Sequence, residues 1–249
     1  MKDKRVVYGI PGMQNILVDR GVTYNASGLT MDLYRPRETN AAPSPAVLIA
    51  LGYPDVGVAT PFGCQFREMG TMVSWAQLFA ASGMVGVLYE TRQPMDDANA
   101  VLTRLQENGP AMGIDERRIA VWACSGNVPV ALSLLFNGRV RCGVLCYGFM
   151  LDVAKAAAEY RFANPTEGRR VEDIPSDTAL FVARAGRDQF ASLNESLDAF
   201  VAEALRCNLP LTLVNHATGP HGFDFADDTS ATRYIIQAIL AFLHANLLS

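Results

Sequence analysis

Two adjacent residues of nucleophilic type lie where an apolar strand runs almost directly into a helix. They are Cys124 and Ser125, in the segment that runs from Arg118 to Asn127 with the sequence RIAVWACSGN. A nucleophile on so sharp a turn is held in a strained conformation, and its side chain projects above the sheet. A hydroxyl or thiol placed there could attack an electrophilic carbon if a nearby base took its proton. The segment therefore predicts nucleophilic catalysis, with an ordinary helix N-cap as the alternative reading of Ser125.

The register of this turn favours Ser125 over Cys124 as the nucleophile. Such a turn needs a small residue two positions before the nucleophile. That residue is Ala123 if Ser125 is the nucleophile and Trp122 if Cys124 is. Because a tryptophan is hard to accommodate at the tight point, we expect Ser125 to react and Cys124 to be a small buried residue beneath the turn.

The rest of the chain predicts an α/β sheet that could hold this turn. Residues 16–24 and 29–34 are strand-like and flank a turn-rich segment, which favours an antiparallel hairpin at the start. Six short apolar runs typical of buried parallel strands follow, at Val47–Leu51, Met84–Tyr89, Ile119–Ala123, Gly143–Tyr147, Leu180–Ala183 and Leu211–Val214. Helical periods lie between most of them, one beginning at a candidate capping box of Ser192 and Glu195. Alternating strands and helices predict a mostly parallel sheet with helices on both faces.

One connection is longer than the others. About thirty residues separate the run that ends near Tyr147 from the run that starts at Leu180. We expect a small lid-like insertion at about 150–176, over the sheet edge where ligands of open α/β sheets bind. Arg161, Arg169 and Arg170 could meet an acidic substrate there, but glutamates interleave with them and favour a solvated surface.

The turn at Ala123-Cys124-Ser125-Gly126-Asn127 resembles the Gly-x-Ser-x-Gly elbow of the α/β-hydrolase family, with both outer glycines replaced. The resemblance is greatest to its dienelactone-hydrolase-like and small-esterase branches. It covers nearly the whole chain, which implies one α/β-hydrolase domain over residues 1–249 with about eight strands. It implies no metal and no organic cofactor.

The resemblance also implies partners for Ser125. The family's acid follows a strand in a Gly-x-x-Asp-like turn, which matches Asp188, and its histidine often stands in His-Gly-Phe, which matches His221. The chain order Ser, Asp, His is the order that this fold uses. Rivals are Asp224, Asp227 and Asp228 for the acid, and His216 and His244 for the base.

The same resemblance implies two oxyanion donors. One is the backbone N–H of Gly126, the residue after the nucleophile, and the other is the backbone N–H of Tyr53, after the Val47–Leu51 strand. The family often has His-Gly before this position, whereas this chain has Leu51-Gly52. The Tyr53 hydroxyl is a further candidate donor.

These residues predict a serine hydrolase that cleaves a carboxylic ester or lactone of a small substrate through an acyl-enzyme on Ser125. Alternatives are a serine peptidase or acyltransferase with the same triad, a cofactor-free perhydrolase, or a non-catalytic binding module on the hydrolase scaffold. The small insertion favours short or compact acyl groups. The oligomeric state stays open, a homodimer included.

Composition excludes several other classes. Half of the residues are hydrophobic and 18% are charged, so a sizeable core is expected and wholesale disorder is not. The net charge is −4 and no dense Lys/Arg run occurs, so we expect no nucleic-acid partner. The uncharged stretch Ile119–Gly138 is long enough to cross a bilayer, but turn residues interrupt it, so we expect no membrane association. Five cysteines and no apolar leader predict a cytoplasmic location.

Overall fold

An eight-stranded sheet forms the centre of the molecule. The computed structural model describes residues 1–37, 42–190 and 192–248. The strands are β1 (Leu17–Thr23), β2 (Thr30–Arg35), β3 (Ser44–Ile49), β4 (Val85–Tyr89), β5 (Ile114–Cys124), β6 (Cys142–Cys146), β7 (Ala179–Arg187) and β8 (Leu211–Pro220). Their spatial order is β1-β2-β4-β3-β5-β6-β7-β8.

The strand directions match the sequence prediction. β1 and β2 form an antiparallel hairpin, and β2 also pairs antiparallel with β4. Every further pairing from β4 to β8 is parallel. Parallel strands bury both faces and therefore need continuous apolar runs, which is why these strands were visible in the sequence. The predicted fold class is confirmed.

Helices cover both faces of the sheet. They are α1 (Asp55–Phe62), α2 (Gly70–Ala81), α3 (Pro94–Asn108), α4 (Val128–Phe136), α5 (Ala154–Tyr160), α6 (Leu193–Arg206), α7 (Phe223–Ala226) and α8 (Ser230–Leu247). No helix among the described residues is long and apolar enough to cross a bilayer.

Packing on the central strand β5 separates the two layers. Trp122 packs on Trp75 of α2, with 4.9 Å between ring centroids. The preceding residue, Val121, points to the other face and pairs with Gly143 of β6. A side chain at Gly143 would collide with Leu135 of α4. Helices α2 and α4 therefore lie on opposite faces, and β5 is covered on both.

Three local predictions were wrong or incomplete. The last strand runs beyond the apolar run Leu211–Val214 as far as Pro220, so His216 lies inside β8. Ser192 starts α6 with φ 64° and makes no side-chain cap, so the expected capping box with Glu195 does not form. Helix α1 was not predicted, because it carries an internal proline, Pro61, and no clear apolar face.

The long connection between β6 and β7 packs as a small separate cluster. It contains α5 and a single 3-10 turn at Val171–Asp173. Phe149, Val153, Ala157 and Phe162 bury their side chains against Leu193 of α6. The segment is tied to the core by a hydrogen bond from the Ala163 N–H to the Gly52 carbonyl, at 2.8 Å.

Candidate active site

Ser125 occupies the turn between the buried strand β5 and the buried helix α4. Its φ is 56°, in the left-handed region that an L-residue adopts only under strain. Residues Ser125–Asn127 form one 3-10 turn, after which α4 begins at Val128 with Pro129 in its first turn. The strand and helix fix both ends of the turn, so the Ser125 side chain is held at the carboxyl edge of the sheet.

The structure brings Ser125, His221 and Asp188 into one hydrogen-bonded chain. The Ser125 Oγ lies 2.9 Å from the His221 Nε2, and the His221 Nδ1 lies 2.6 Å from the Asp188 Oδ2. Asp188 follows the end of β7 directly, and His221 follows the end of β8. Because neighbouring parallel strands end at the same edge of the sheet, three residues far apart in the chain meet there.

The surroundings of this chain restrict how the imidazole can turn. Aromatic rings contact His221 edge-on from two sides, Tyr147 at 5.0 Å and Phe190 at 4.5 Å between centroids. The Asp188 side chain is fully buried, and its Oδ1 accepts a hydrogen bond from the Phe190 N–H at 2.9 Å. The carboxylate therefore has one oxygen fixed by the backbone and the other available to the imidazole.

The rival acids and bases have other partners. Asp224 accepts from Trp75 and Tyr147, Asp227 pairs with His216, and Asp228 pairs with Arg233. His244 lies 2.7 Å from the Ser82 carbonyl oxygen. Asp188 and His221 are thus the pair that the structure brings to Ser125.

Cys124 lies beneath the turn rather than on it. It is 7% exposed, and burial raises the pKa of its thiol to about 12. A protonated thiol is a poor nucleophile. The position and electrostatics of Cys124 therefore agree with the packing role expected from the sequence.

An asparagine links the turn to the loop after β3. The Asn127 side-chain oxygen accepts a hydrogen bond from the buried Gly52 N–H at 2.7 Å. A Cβ at Gly52 would overlap the Gly126 carbonyl and lie 2.9 Å from the Asn127 Cα, so only glycine fits. The departure from the family's final elbow glycine thus supplies the side chain that ties these two segments together.

Tyr53 follows this contact and lies against the turn. A Cβ at Gly126 would overlap the Tyr53 hydroxyl. Within the described ranges, the Tyr53 N–H and hydroxyl have no hydrogen-bond acceptor. Burial raises the pKa of the hydroxyl to about 12, so it stays protonated at neutral pH. Both groups are therefore free to donate to a ligand.

Sequence reasoning missed a buried polar cluster beside the histidine. The carboxylate of Asp224 accepts from Trp75 Nε1 at 2.7 Å and from the Tyr147 hydroxyl at 2.6 Å. Burial raises the pKa of Asp224, and both hydrogen bonds act in the opposite direction. Burial likewise holds the pKa of Tyr147 well above its usual range. The cluster connects α2, the residue that follows β6 and the segment after His221, which fixes the histidine loop to the sheet.

Ser125 and His221 open into a cavity of about 980 Å³. This volume is near the upper end of the range for small-molecule sites. Aromatic and aliphatic side chains from the segment after β3 and from α2 form much of its lining, namely Tyr53, Pro54, Val56, Phe62, Phe66, Met69, Met72 and Trp75. The cavity suits a mostly apolar ligand with a reactive polar group near Ser125.

The long β6–β7 connection contributes Tyr160 and Arg161 to this cavity. Arg161 is exposed and has no carboxylate partner in the part of the chain described. The two other arginines of the segment pair instead with acids on the surface, Arg169 with Asp173 and Arg170 with Glu172. The expected solvated surface therefore describes Arg169 and Arg170, whereas Arg161 lines the cavity.

Solved structures with the same fold include esterases and an α/β hydrolase. An α/β hydrolase called MGS-M1, from a Medee basin deep-sea metagenome library, aligns with a TM-score of 0.70 at 20% identity over 95% of this chain and 100% of its own. A fungal esterase from Rhizomucor miehei gives 0.72 at 12% identity over 99% and 87%. Esterase B from Lactobacillus Rhamnosis HN001 gives 0.71 at 15% identity over 99% and 89%. At such identities the likeness establishes the α/β-hydrolase fold.

Sequence comparison adds no closer relationship. No protein-family model matches the chain, and no curated protein matches it.

Proposed function

We propose that the protein is a serine hydrolase that cleaves a carboxylic ester or lactone of a small substrate. The observation that carries the proposal is the hydrogen-bonded chain from Ser125 through His221 to Asp188, with the serine on a strained turn at the wall of an apolar cavity. The structural neighbours that are esterases support the same class of reaction.

The first half of the reaction acylates the enzyme. The Ser125 Oγ attacks the ester carbonyl carbon while the His221 Nε2 takes the hydroxyl proton. Asp188 holds the imidazole in the tautomer with Nδ1 protonated and stabilises the cation that forms. The tetrahedral intermediate then collapses, and His221 returns the proton to the departing alkoxide, which leaves as the alcohol.

The second half releases the acid. Water attacks the acyl-Ser125 carbonyl, His221 takes the water proton, and collapse returns the proton to the serine oxygen. In both halves, negative charge develops on the carbonyl oxygen. We assign its stabilisation to the backbone N–H groups of Gly126 and Tyr53, two residues that are neighbours in space because the Tyr53 side chain lies against Gly126.

Finer assignments belong to the same proposal. We place the chain in the dienelactone-hydrolase-like or small-esterase branch, as one domain whose segment at about 150–176 acts as a lid. We further propose a cytoplasmic enzyme. A serine peptidase or acyltransferase would use the same residues, and substrate turnover separates these classes.

Two experiments test the proposal. Turnover should be measured on a panel of nitrophenyl esters, lactones, thioesters and aminoacyl amides, and a fluorophosphonate adduct should be mapped by mass spectrometry. We expect ester or lactone turnover, an adduct on Ser125, and a loss of about 10⁴–10⁶-fold in Ser125→Ala.

The neighbouring residue supplies the matched control. Cys124→Ala removes a nucleophilic atom one position away and should keep most of the activity, since its thiol is buried and protonated. An adduct on Cys124 would reverse the assignment. Turnover of amides but not esters would make the protein a peptidase, and no turnover with no adduct would favour a binding module.

A further inference from the structure

The residues before β1 contribute to the cavity of the candidate active site. Residues 1–16 contain no helix or strand, and the sequence offered no role for residues 1–15. Met1 nevertheless lines the same cavity as Ser125 and His221. Its nitrogen donates to the Phe62 carbonyl at 3.4 Å, which places it beside the apolar side of the lining.

The start of α2 anchors residues 1–5. The Met1 carbonyl accepts from the Gly70 N–H at 3.4 Å and from the Lys4 N–H at 3.2 Å. The Lys2 ammonium pairs with the Glu68 carboxylate at 3.1 Å. The Arg5 guanidinium donates to the Lys2 carbonyl at 2.7 Å and so closes the segment into a compact turn.

A second anchor ties residues 6 and 7 to the histidine loop. The Val7 N–H donates to the Asp224 carbonyl at 2.8 Å, three residues after His221. The Val6 side chain is buried in the main core. Residues 1–7 therefore bridge from α2 to the histidine loop, and Met1, at the first of these two attachments, lines the cavity.

The close approach to α2 depends on one glycine. A Cβ at Gly70 would overlap the Arg5 guanidinium and the Lys4 carbonyl, and would lie 2.5 Å from the Lys2 carbonyl. Two of these three obstacles are backbone atoms and cannot rotate away. Any larger residue at this position must displace the segment.

We propose that residues 1–7 hold Met1 as a specificity-determining wall of the substrate cavity, where it limits the length of the ester's apolar chain. The inference rests on the proposed esterase function. Met1 lies with Phe62, Phe66 and Met69, so this side of the cavity is apolar and would contact a hydrocarbon chain. A methionine adapts its shape to such a site but still fills space that additional methylene groups would need.

Displacing the wall should lengthen the accepted chain. The test variant is Gly70→Ala, and the measurement is kcat/KM for nitrophenyl esters from acetate to octanoate and for acetate esters of increasing alcohol length. Each methylene gained inside the cavity adds about fourfold. We expect the octanoate-to-acetate ratio, or the equivalent ratio in the alcohol series, to rise at least tenfold.

The same segment offers a matched control. Gly9→Ala makes the same chemical change, but its Cβ would meet only the Met13 sulfur at 3.6 Å, an ordinary contact. Its chain-length ratio should equal that of the wild type. Arg5→Ala is the second test variant, since it removes the guanidinium contacts without crowding α2. If Gly70→Ala does not fold, Arg5→Ala still tests whether displacement of residues 1–7 changes the chain-length ratio.

Tryptophan fluorescence gives a readout that needs no catalysis. The chain has two tryptophans, Trp75 and Trp122, and both line this cavity while only 1% exposed. Displacement of residues 1–7 should increase quenching by acrylamide in Gly70→Ala and Arg5→Ala but not in Gly9→Ala.

The two readouts separate the possible failures. Increased quenching with unchanged chain-length ratios would overturn the inference, as would unchanged quenching together with unchanged ratios. A wild type that hydrolyses neither an ester nor a lactone refutes the proposed function instead, and quenching then decides alone whether residues 1–7 close the cavity.

Discussion

Replacement of Asn127 by alanine should weaken both the fold and the reaction. Asn127 is 3% exposed, and its side-chain oxygen is the acceptor for the buried Gly52 N–H at 2.7 Å. Alanine leaves that N–H buried without a partner, which costs about 1–3 kcal/mol. With about 2.1 cal/mol/K per residue over 249 residues, the unfolding entropy is about 0.5 kcal/mol/K, so Tm should fall by about 2–6 °C.

We expect kcat to change because Gly52 directly precedes Tyr53, whose backbone N–H we assign to the oxyanion hole. Loss of the Asn127 bond loosens this donor without removing it, so kcat should fall about tenfold, well short of the 10²–10³ lost with a whole donor. KM should change little, because the contact strengthens only in the transition state.

Calorimetry and nitrophenyl acetate kinetics check both effects. Asn215→Ala is the matched control, since its side-chain oxygen also accepts a hydrogen bond, from Arg184 at 3.3 Å, but on the exposed surface of β8. It should leave Tm and kcat nearly unchanged. If Asn127→Ala behaves like this control, the hydrogen bond between Asn127 and Gly52 neither stabilises the fold nor positions the Tyr53 N–H, and the prediction is wrong.

Three further predictions concern single side chains. Tyr53→Phe should leave kcat nearly unchanged, because we assign its backbone N–H as the donor; a fall of about 10²-fold at constant KM would give that role to the hydroxyl instead. Asp188→Asn should lower kcat by about 10⁴-fold, since the amide favours the wrong tautomer of the imidazole, and a loss below tenfold would remove Asp188 from the triad. Iodoacetamide should label Cys124 far more slowly than the half-exposed Cys207 from pH 6 to 9, because a thiol with a pKa of about 12 stays protonated in this range. Mass spectrometry of the labelled peptides measures both rates. Comparable rates for the two cysteines would contradict the prediction.

Much of the sheet was predictable because its physical requirements are local. Parallel strands need continuous apolar runs, and the turn at Ser125 needs a small residue at position 123. Both requirements appear directly in the residue types. The choice of Asp188 and His221 depended instead on resemblance, since sequence spacing alone does not show which strand ends meet at one edge.

The parts that were not predictable depend on contacts between distant segments. Asn127 looked like a departure from the family turn until its bond to Gly52 was visible. Asp224 looked like a rival acid, but its partners Trp75 and Tyr147 lie 149 and 77 residues away in the chain. The role of residues 1–7 likewise depends on Gly70, and no periodic pattern marks such a contact.

The strained backbone at Ser125 lowers the stability of the fold at the residue on which the proposed activity depends. A φ of 56° costs an L-residue about 1–3 kcal/mol, and glycine would adopt it freely. Selection for stability alone would therefore replace Ser125, the proposed nucleophile, with glycine. A Ser125→Gly protein should be inactive yet harder to unfold, and relatives that have lost catalysis but kept the scaffold would be expected to drift toward that residue.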